Sequence, residues 1–247
     1  PAYLDALKHH AATIEIKGFR KGKAPAKAVE TTVGKDKLYQ DAFAQVFFAS
    51  YNQAVKDHHL SPIIAPQVKP LTSQEGQDWD IQVTTAQAPV INLKGYQTEV
   101  KGALAKPQSA SQDQKLALVF DALLKHIQFP VSQLLIYQET NQALTKLLDQ
   151  VNHLGLTIDQ YLTSKNITQQ QLKSEYALTA LTNLRLEFIL QAIAQDLKIE
   201  PKTEEIDTLI AQAPEDQRPK LKHPTQTAYL KAILTKRKTI DALLSLW

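Results

Sequence analysis

Cysteine and methionine are both missing from this 247-residue chain, and glycine occurs only seven times. Without cysteine there is no disulfide, no thiol nucleophile and no thiolate metal site. Without methionine, a promiscuous apolar surface would have to be built from Leu, Ile, Tyr and Phe instead of the flexible thioether. The missing initiator also marks Pro1 as an expected artificial start, produced by processing, truncation or engineering. Seven glycines and 12 prolines are few for a β-rich enzyme, and the abundance of Leu, Ala, Gln and Lys favours helices. No uninterrupted apolar run approaches the roughly 18 residues of a membrane span. Nor does Pro1-Ala2-Tyr3-Leu4 begin a secretory signal, which needs a basic region followed by an apolar core.

Catalytic and metal-binding constellations are equally scarce. His9-His10 and His58-His59 are adjacent pairs whose side chains diverge on a helix, so neither chelates from one face. No His-Glu-x-x-His motif, phosphate-cradling glycine loop or Gly-x-Ser-x-Gly elbow occurs. Glu204-Glu205 fits a helix's first turn, where carboxylates are favoured by the dipole, better than acid–base work. The expectation is a protein without catalytic residues, metal or cofactor.

What the chain does have is uneven charge. The net charge is +3, yet residues 17–37 carry seven cations against Glu30 and Asp36, a local +5. Residues 218–238 carry seven more and no acid, which leaves −9 for the remainder. Two basic patches on an acidic body suit directed electrostatic docking. For the second patch a solvated face near a chain end explains the same pattern.

The first patch contains the octapeptide Gly18-Phe19-Arg20-Lys21-Gly22-Lys23-Ala24-Pro25. Two glycines and a closing proline predict an ordered, exposed loop between helices. Phe19 beside Arg20, Lys21 and Lys23 suits a phosphate-rich surface, with cations on phosphates and the ring stacked or set in a crevice. A generic solvated basic turn accounts for Lys-Gly-Lys alone.

Around the loop, helices are predicted over residues 2–13, 26–32 and 35–58. The last carries apolar residues at helical spacing, including Leu38, Ala42, Phe43, Val46, Phe47, Tyr51 and Val55. Such residues are read as core. Pro62, Pro66 and Pro70 exclude a helix and mark edge structure around Ile63, Ile64 and Val68. Trp79, Ile81 and Val83 alternate as a strand, with residues 74–78 as the turn between the two strands. Residues 90–96 form another short extended run, and residues 101–111 a small-residue, polar linker. Helices then follow at 114–128, 131–154, 158–164, 168–197, 202–213 and 225–246, with Thr157 and Thr168 as caps. Leu172, Tyr176, Leu181, Leu184, Phe188 and Ile193 form the clearest stripe. Short segments with short joints predict an antiparallel helical array.

The octapeptide resembles the ribosome-binding signature of trigger factors, Gly-Phe-Arg-x-Gly-Lys-x-Pro, with every fixed position present. Ile127-Gln128-Phe129-Pro130, Glu139 and Gly155-Leu156-Thr157 through Tyr161-Leu162 also follow that family's C-terminal domain. The resemblance implies an α+β fold in which a small antiparallel sheet with helices, residues 1–100, binds ribosomes. Two strands before the first helix are then expected to be missing. Residues 101–111 form the linker, and residues 112–247 an elongated, all-α chaperone domain. It further implies Gly18, Phe19, Arg20, Lys21, Gly22, Lys23 and Pro25 as ribosome-binding residues. Implied partners are the ribosome near its tunnel exit, in both protein and rRNA, and unfolded or nascent polypeptides, with no membrane and with room for self-association. A cytoplasmic, ATP-independent holdase is the function so implied.

The chain departs from the family in one respect. The linker runs almost directly into the C-terminal helices, leaving no segment for an inserted FKBP-type prolyl isomerase domain, so no isomerase activity is expected. Two other readings remain in view. A SurA-type periplasmic holdase shares a similar helical core but would lack the loop. A basic RNA- or ribosome-binding structural protein would show more stacking aromatics and a higher net charge.

Overall fold

The computed structural model describes residues 2–72, 79–105 and 111–246. The chain divides into two compact units, Pro1–Ala65 and Pro66–Trp247.

The first unit is a trio of helices: α1 Ala2–Thr13, α2 Ala26–Val33 and α3 Lys35–Asp57. Pro25, with φ −66° and ψ 150°, opens α2, and its carbonyl accepts the amides of Ala28 and Val29. Leu7 and Ala6 from α1, Val29 from α2, and Leu38 and Ala42 from α3 form the core, joined by Ile16 from the α1–α2 loop. Polar ties hold the helices in register. The Tyr3 hydroxyl donates to Glu30 Oε1 at 2.9 Å, and His10 Nε2 donates to Asp41 Oδ2 at 2.7 Å. Farther along α3, Phe43, Phe47 and Tyr51 stack at i, i+4 spacing with centroids 5.8 Å apart. Of the apolar set expected inside, Phe47 is buried while Val46 is exposed; Phe48, outside that set, is exposed at 57%.

The second unit starts with a two-stranded antiparallel hairpin, β1 Gln67–Thr72 and β2 Asp80–Thr84. Val68 faces Val83 and Pro70 faces Ile81, so one face of the ribbon is apolar. The register slips between Pro70 and Thr72, which leaves Leu71 as the extra residue of a bulge. The predicted turn at 74–78 lies outside the described residues.

Helices fill the rest: α4 Tyr96–Leu104, α5 Gln112–His126, α6 Gln133–His153, α7 Ile158–Lys165, α8 Gln169–Asp196, α9 Thr203–Gln212, α10 Arg218–Leu221 and α11 Pro224–Leu244. Reciprocal capping boxes start three of them: Ser111 with Gln114, Thr157 with Gln160, and Thr168 with Gln171. The main core draws Tyr96, Val100 and Leu104 from α4, Val119 and Leu123 from α5, Ile189, Leu190 and Ile193 from α8, and Leu243 from α11. Leu147, Val151 and Leu172 centre a smaller cluster where α6, α7 and α8 meet.

Two boundaries differ from the sequence reading. Lys101–Leu104, expected as linker, is the last turn of α4, and Tyr96, expected as extended, is its first residue. Tyr96, Val100 and Leu104 recur every four residues and are all buried. That burial overrides the small, polar composition around Gly102. Because α4 shares its core with α5 and α8, the compact division falls at Ala65/Pro66 rather than near residue 100.

Among the described helices, α8 is long and apolar enough to cross a membrane by length and composition, with a mean hydropathy of 1.2 over an 18-residue window. Its interruptions at Arg185 and Glu187 are why no unbroken apolar run is seen in sequence. Here Ile189, Leu190 and Ile193 supply a protein core.

Ile193→Ala, at a fully buried site, is expected to lower stability by about 2–5 kcal/mol, since the deleted methyl groups leave a cavity. Thr168→Ala, losing only a cap, is expected to cost about 1 kcal/mol. Urea titrations followed by circular dichroism check the ordering, and an equal cost for both would contradict it.

Candidate functional site

The predicted basic loop occupies residues 14–25, and its path follows from two glycines four residues apart. The Phe19 amide donates to the Ile16 carbonyl at 3.0 Å, closing a four-residue turn with Gly18 third, at φ +90°. The Lys23 amide donates to the Arg20 carbonyl at 2.9 Å, closing a second such turn with Gly22 third, at φ +79°. Lys17 and Lys21, second in each turn, do not have positive φ. A positive φ at the third position alone is the type II arrangement, so the loop is two type II turns in tandem. A Cβ at Gly18 or Gly22 would meet nothing within 4 Å. The glycines are therefore required by the backbone, at roughly 1–2 kcal/mol for a residue with a Cβ, and not by space.

The loop is tied at both ends to the last turn of α1. The Ile14 amide donates to the His10 carbonyl at 3.0 Å, and the Gly22 amide donates to the Ala11 carbonyl at 2.8 Å. Buried Ile16 turns inward, and Ala24 packs half-buried against the same core. Everything between them faces outward. Gly18, Arg20, Lys21, Gly22, Lys23 and Pro25 are exposed, as is Phe19 at 45%.

Of the seven cations in this region, Lys37 alone has an ion pair among the described residues, with Asp41 at 2.9 Å. Lys17, Arg20, Lys21, Lys23, Lys27 and Lys35 are left to the solvent, which makes this a surface of unneutralised positive charge.

The second basic patch behaves differently. Lys236 pairs with Glu187 of α8, Lys238 with Glu205 of α9 at 2.6 Å, and Arg218 with Glu215 at 3.7 Å. The Lys238 ammonium, with the Lys202 amide, holds the Glu205 carboxyl below the usual carboxylate range. Acids distant in sequence thus neutralise part of a stretch that contains none, and its cations brace α11 against α8 and α9.

Sequence reasoning missed two features. The first is Asp41, whose two carboxylate oxygens accept from Lys37 of the same helix and from His10 of α1. The i, i+4 spacing of Lys37 and Asp41 was visible, but the His10 contact spans 31 residues. The second is a groove of about 850 Å³ between α8 and α11, floored by Leu190, Ala194, Ile199, Ala228 and Ala232. Among the described residues no group of three His, Asp or Glu could hold a metal ion.

Residues 1–119 match the family described as Bacterial trigger factor protein (TF), and residues 92–245 match the trigger factor C-terminus. The chain belongs to the trigger factor family. Its two matches overlap, so no FKBP-type domain stands between the trigger factor halves. The trigger factor of Caldanaerobacter subterraneus subsp. tengcongensis is 37% identical over 91 residues, covering 37% of this chain and 21% of the relative. That of Leuconostoc citreum is 28% identical over 138 residues, covering 56% and 30%. The chain thus spans well under two thirds of the lengths of these curated relatives. A solved structure, from work on promiscuous substrate recognition in folding and assembly by the trigger factor chaperone, aligns with a TM-score of 0.59. It covers 99% of this chain and 93% of that one at 12% identity, a likeness of fold. The helix-rich α+β architecture is accordingly that of trigger factors, a family of chaperones.

Lys37 and His10 together hold the Asp41 carboxyl below its ordinary value of 3.8. A lowered folded-state value means that Asp41 stabilises the three-helix unit above pH 3.8, and that this contribution is lost as pH falls through the lower value. An NMR titration of the Asp41 carboxyl should give a midpoint below 3.8, moved upward in Lys37→Ala. A wild-type midpoint at or above 3.8 would refute the assignment.

Proposed function

We propose that this chain is an ATP-independent, ribosome-associated chaperone of the cytoplasm, which docks through residues 18–25 near the tunnel exit and holds hydrophobic nascent segments. The observation that carries the reading is the tandem-turn loop, exposed Phe19 among cations that have no acidic partner among the described residues. Arg20, Lys21 and Lys23 meet phosphates of ribosomal RNA, and Phe19 stacks on a base or enters an apolar crevice of a ribosomal protein. Gly18, Gly22 and Pro25 give the loop its shape and make no contact of their own through side-chain chemistry. Residues 1–100 serve docking, and residues 112–247 hold clients.

Client holding rests on the apolar side chains that the helical residues leave in solvent. Leu154 is 75% exposed and Leu178 65%, with Tyr137, Tyr229 and Ile233 also exposed. Weak contacts at several such places bind an unfolded segment and release it by mass action, without nucleotide.

Replacing Phe19, Arg20 and Lys21 together with Ala is expected to abolish co-sedimentation with bacterial ribosomes while leaving helical content unchanged. Wild-type binding should also weaken steeply with added salt. A triple variant that sediments like the wild type removes the docking assignment.

With a chemically denatured, aggregation-prone protein, the chain is expected to suppress light scattering at stoichiometric excess without ATP. It should leave the rate of a proline-limited refolding reaction unaltered. Undiminished scattering would end the holdase reading, and accelerated refolding would end the claim that isomerase activity is absent.

A further inference from the structure

The docking side chains sit on a loop whose own contacts are few, so its shape depends on whatever holds its two ends. Both ends are bonded to the last turn of α1. Ile14, at the entrance, donates to the His10 carbonyl, and Gly22, third in the second turn, donates to the neighbouring Ala11 carbonyl. His10 is also where that turn is fixed to the rest of the unit. Its Nε2 donates to Asp41 Oδ2 at 2.7 Å, and the ring is largely buried, with 18% of the side chain accessible. Lys37 donates to the other oxygen, Oδ1, at 2.9 Å, which orients the carboxylate with Oδ2 toward His10. His9, one residue earlier on α1, sets its ring edge-on to His10 at 5.9 Å. One residue thus bears the loop's entrance on its carbonyl and the anchor to α3 on its side chain.

We infer that His10, held by Asp41 and Lys37, is a positioning residue for ribosome docking: it fixes the α1 turn from which the Gly18–Pro25 loop is hung. The inference rests on the docking proposed above. His10 makes no contact with the ribosome. It sets the fraction of time the loop spends with Phe19, Arg20 and Lys21 in one arrangement, and so the ordering cost that binding must meet. A residue acting in this way changes affinity without changing how many phosphates are neutralised.

Three full-length variants test it: His10→Ala, His10→Gln and Arg20→Ala, each titrated onto purified bacterial ribosomes over a range of salt concentrations. Loss of one partly exposed, charge-assisted hydrogen bond corresponds to roughly three- to tenfold weaker binding for His10→Ala. The slope of log affinity against log salt should stay at the wild-type value in His10→Ala, whereas Arg20→Ala should lower it by about one. His10→Gln keeps an amide donor near Nε2 and should restore most of the affinity. Without ribosomes, hydrogen exchange at the Gly22 amide should speed up in His10→Ala and return toward the wild-type rate in His10→Gln.

Wild-type affinity in His10→Ala with unaltered exchange at Gly22 overturns the inference, as does equal weakening in the Ala and Gln variants. A changed salt slope in His10→Ala overturns it as well, because His10 would then be a contact. If His10→Ala does not fold, Asp41→Ala carries the same comparison, since it removes the acceptor of Nε2, with Asp41→Asn, which keeps an oxygen there, as its conservative counterpart. Wild-type protein that does not bind ribosomes defeats the docking reading, while the exchange rate at Gly22 still decides whether His10 holds the loop.

Discussion

Two left-handed backbone positions four residues apart are the constraint on which the exposed loop depends. Gly18 and Gly22 each occupy the third place of a turn whose hydrogen bond closes only if φ there is positive. With both in place the chain reverses twice within eight residues, and the second turn returns far enough for Gly22 to reach the Ala11 carbonyl. Neither glycine relieves crowding, because both have open space where a Cβ would stand. The requirement is therefore local and independent of packing. It explains how a loop with one buried anchor, Ile16, keeps five large side chains outward without a core beneath them. Buried Ile16, half-buried Ala24 and the two backbone bonds to the last turn of α1 then fix where the loop stands, with residues 17–23 exposed between them.

Charge separates the two basic stretches in a way that counting could not. Both contain seven cations. In the first, two nearby acids are used internally: Glu30 accepts from Tyr3, and Asp41 is taken by Lys37 and His10. The loop's own cations are left uncompensated. In the second, Glu187 and Glu205 arrive from other helices and pair with Lys236 and Lys238, while Glu215 pairs locally with Arg218 three residues on. These exposed pairs contribute little to stability individually, a few tenths to about 1 kcal/mol. Their larger effect is on the field, since a neutralised cation no longer attracts phosphate over a Debye length of roughly 8 Å at physiological salt. Sequence shows where charges lie along the chain, whereas pairing across 49 residues, as between Lys236 and Glu187, is decided by helix packing.

Much of the fold was legible because its signals are local. The helices α5 to α9 and α11 lie within a few residues of their predicted spans, and Thr157 and Thr168 cap as expected. Their capping boxes use residues three apart, a spacing readable in any sequence. The loop was legible for the same reason, since glycine and proline act through their own backbone angles. What escaped was set by contacts distant in sequence. Residues 101–104 have the composition of a linker, and they are helical because Val100 and Leu104 meet Leu123 and Ile193 in one core. The bulge at Leu71 depends on pairing with a strand whose approach passes through undescribed residues. On α3 the periodicity marked Val46 and Phe47 alike as interior, yet only Phe47 is buried, since the apolar stripe is wider than the face on which α1 and α2 pack.

Burial also bears on how a chain without methionine could hold varied clients. Calmodulin-like surfaces adapt through flexible thioethers, which repack around whatever they meet. Here the exposed apolar residues of the helical segments are leucines, isoleucines and tyrosines with fewer accessible shapes. They are also dispersed: Tyr137 and Leu148 lie on α6, Leu154 and Leu156 on the joint to α7, Leu178 on α8, and Tyr229 and Ile233 on α11. A single deep apolar pocket would select one side chain and hold it tightly. Separate small contacts select little, and each is weak enough to be released thermally. Adaptability then comes from which subset of contacts a client segment uses, instead of from repacking at one site. On the proposed holdase reading such binding needs no energy source, because its strength scales with how much apolar chain remains unfolded and declines as the client buries its own side chains.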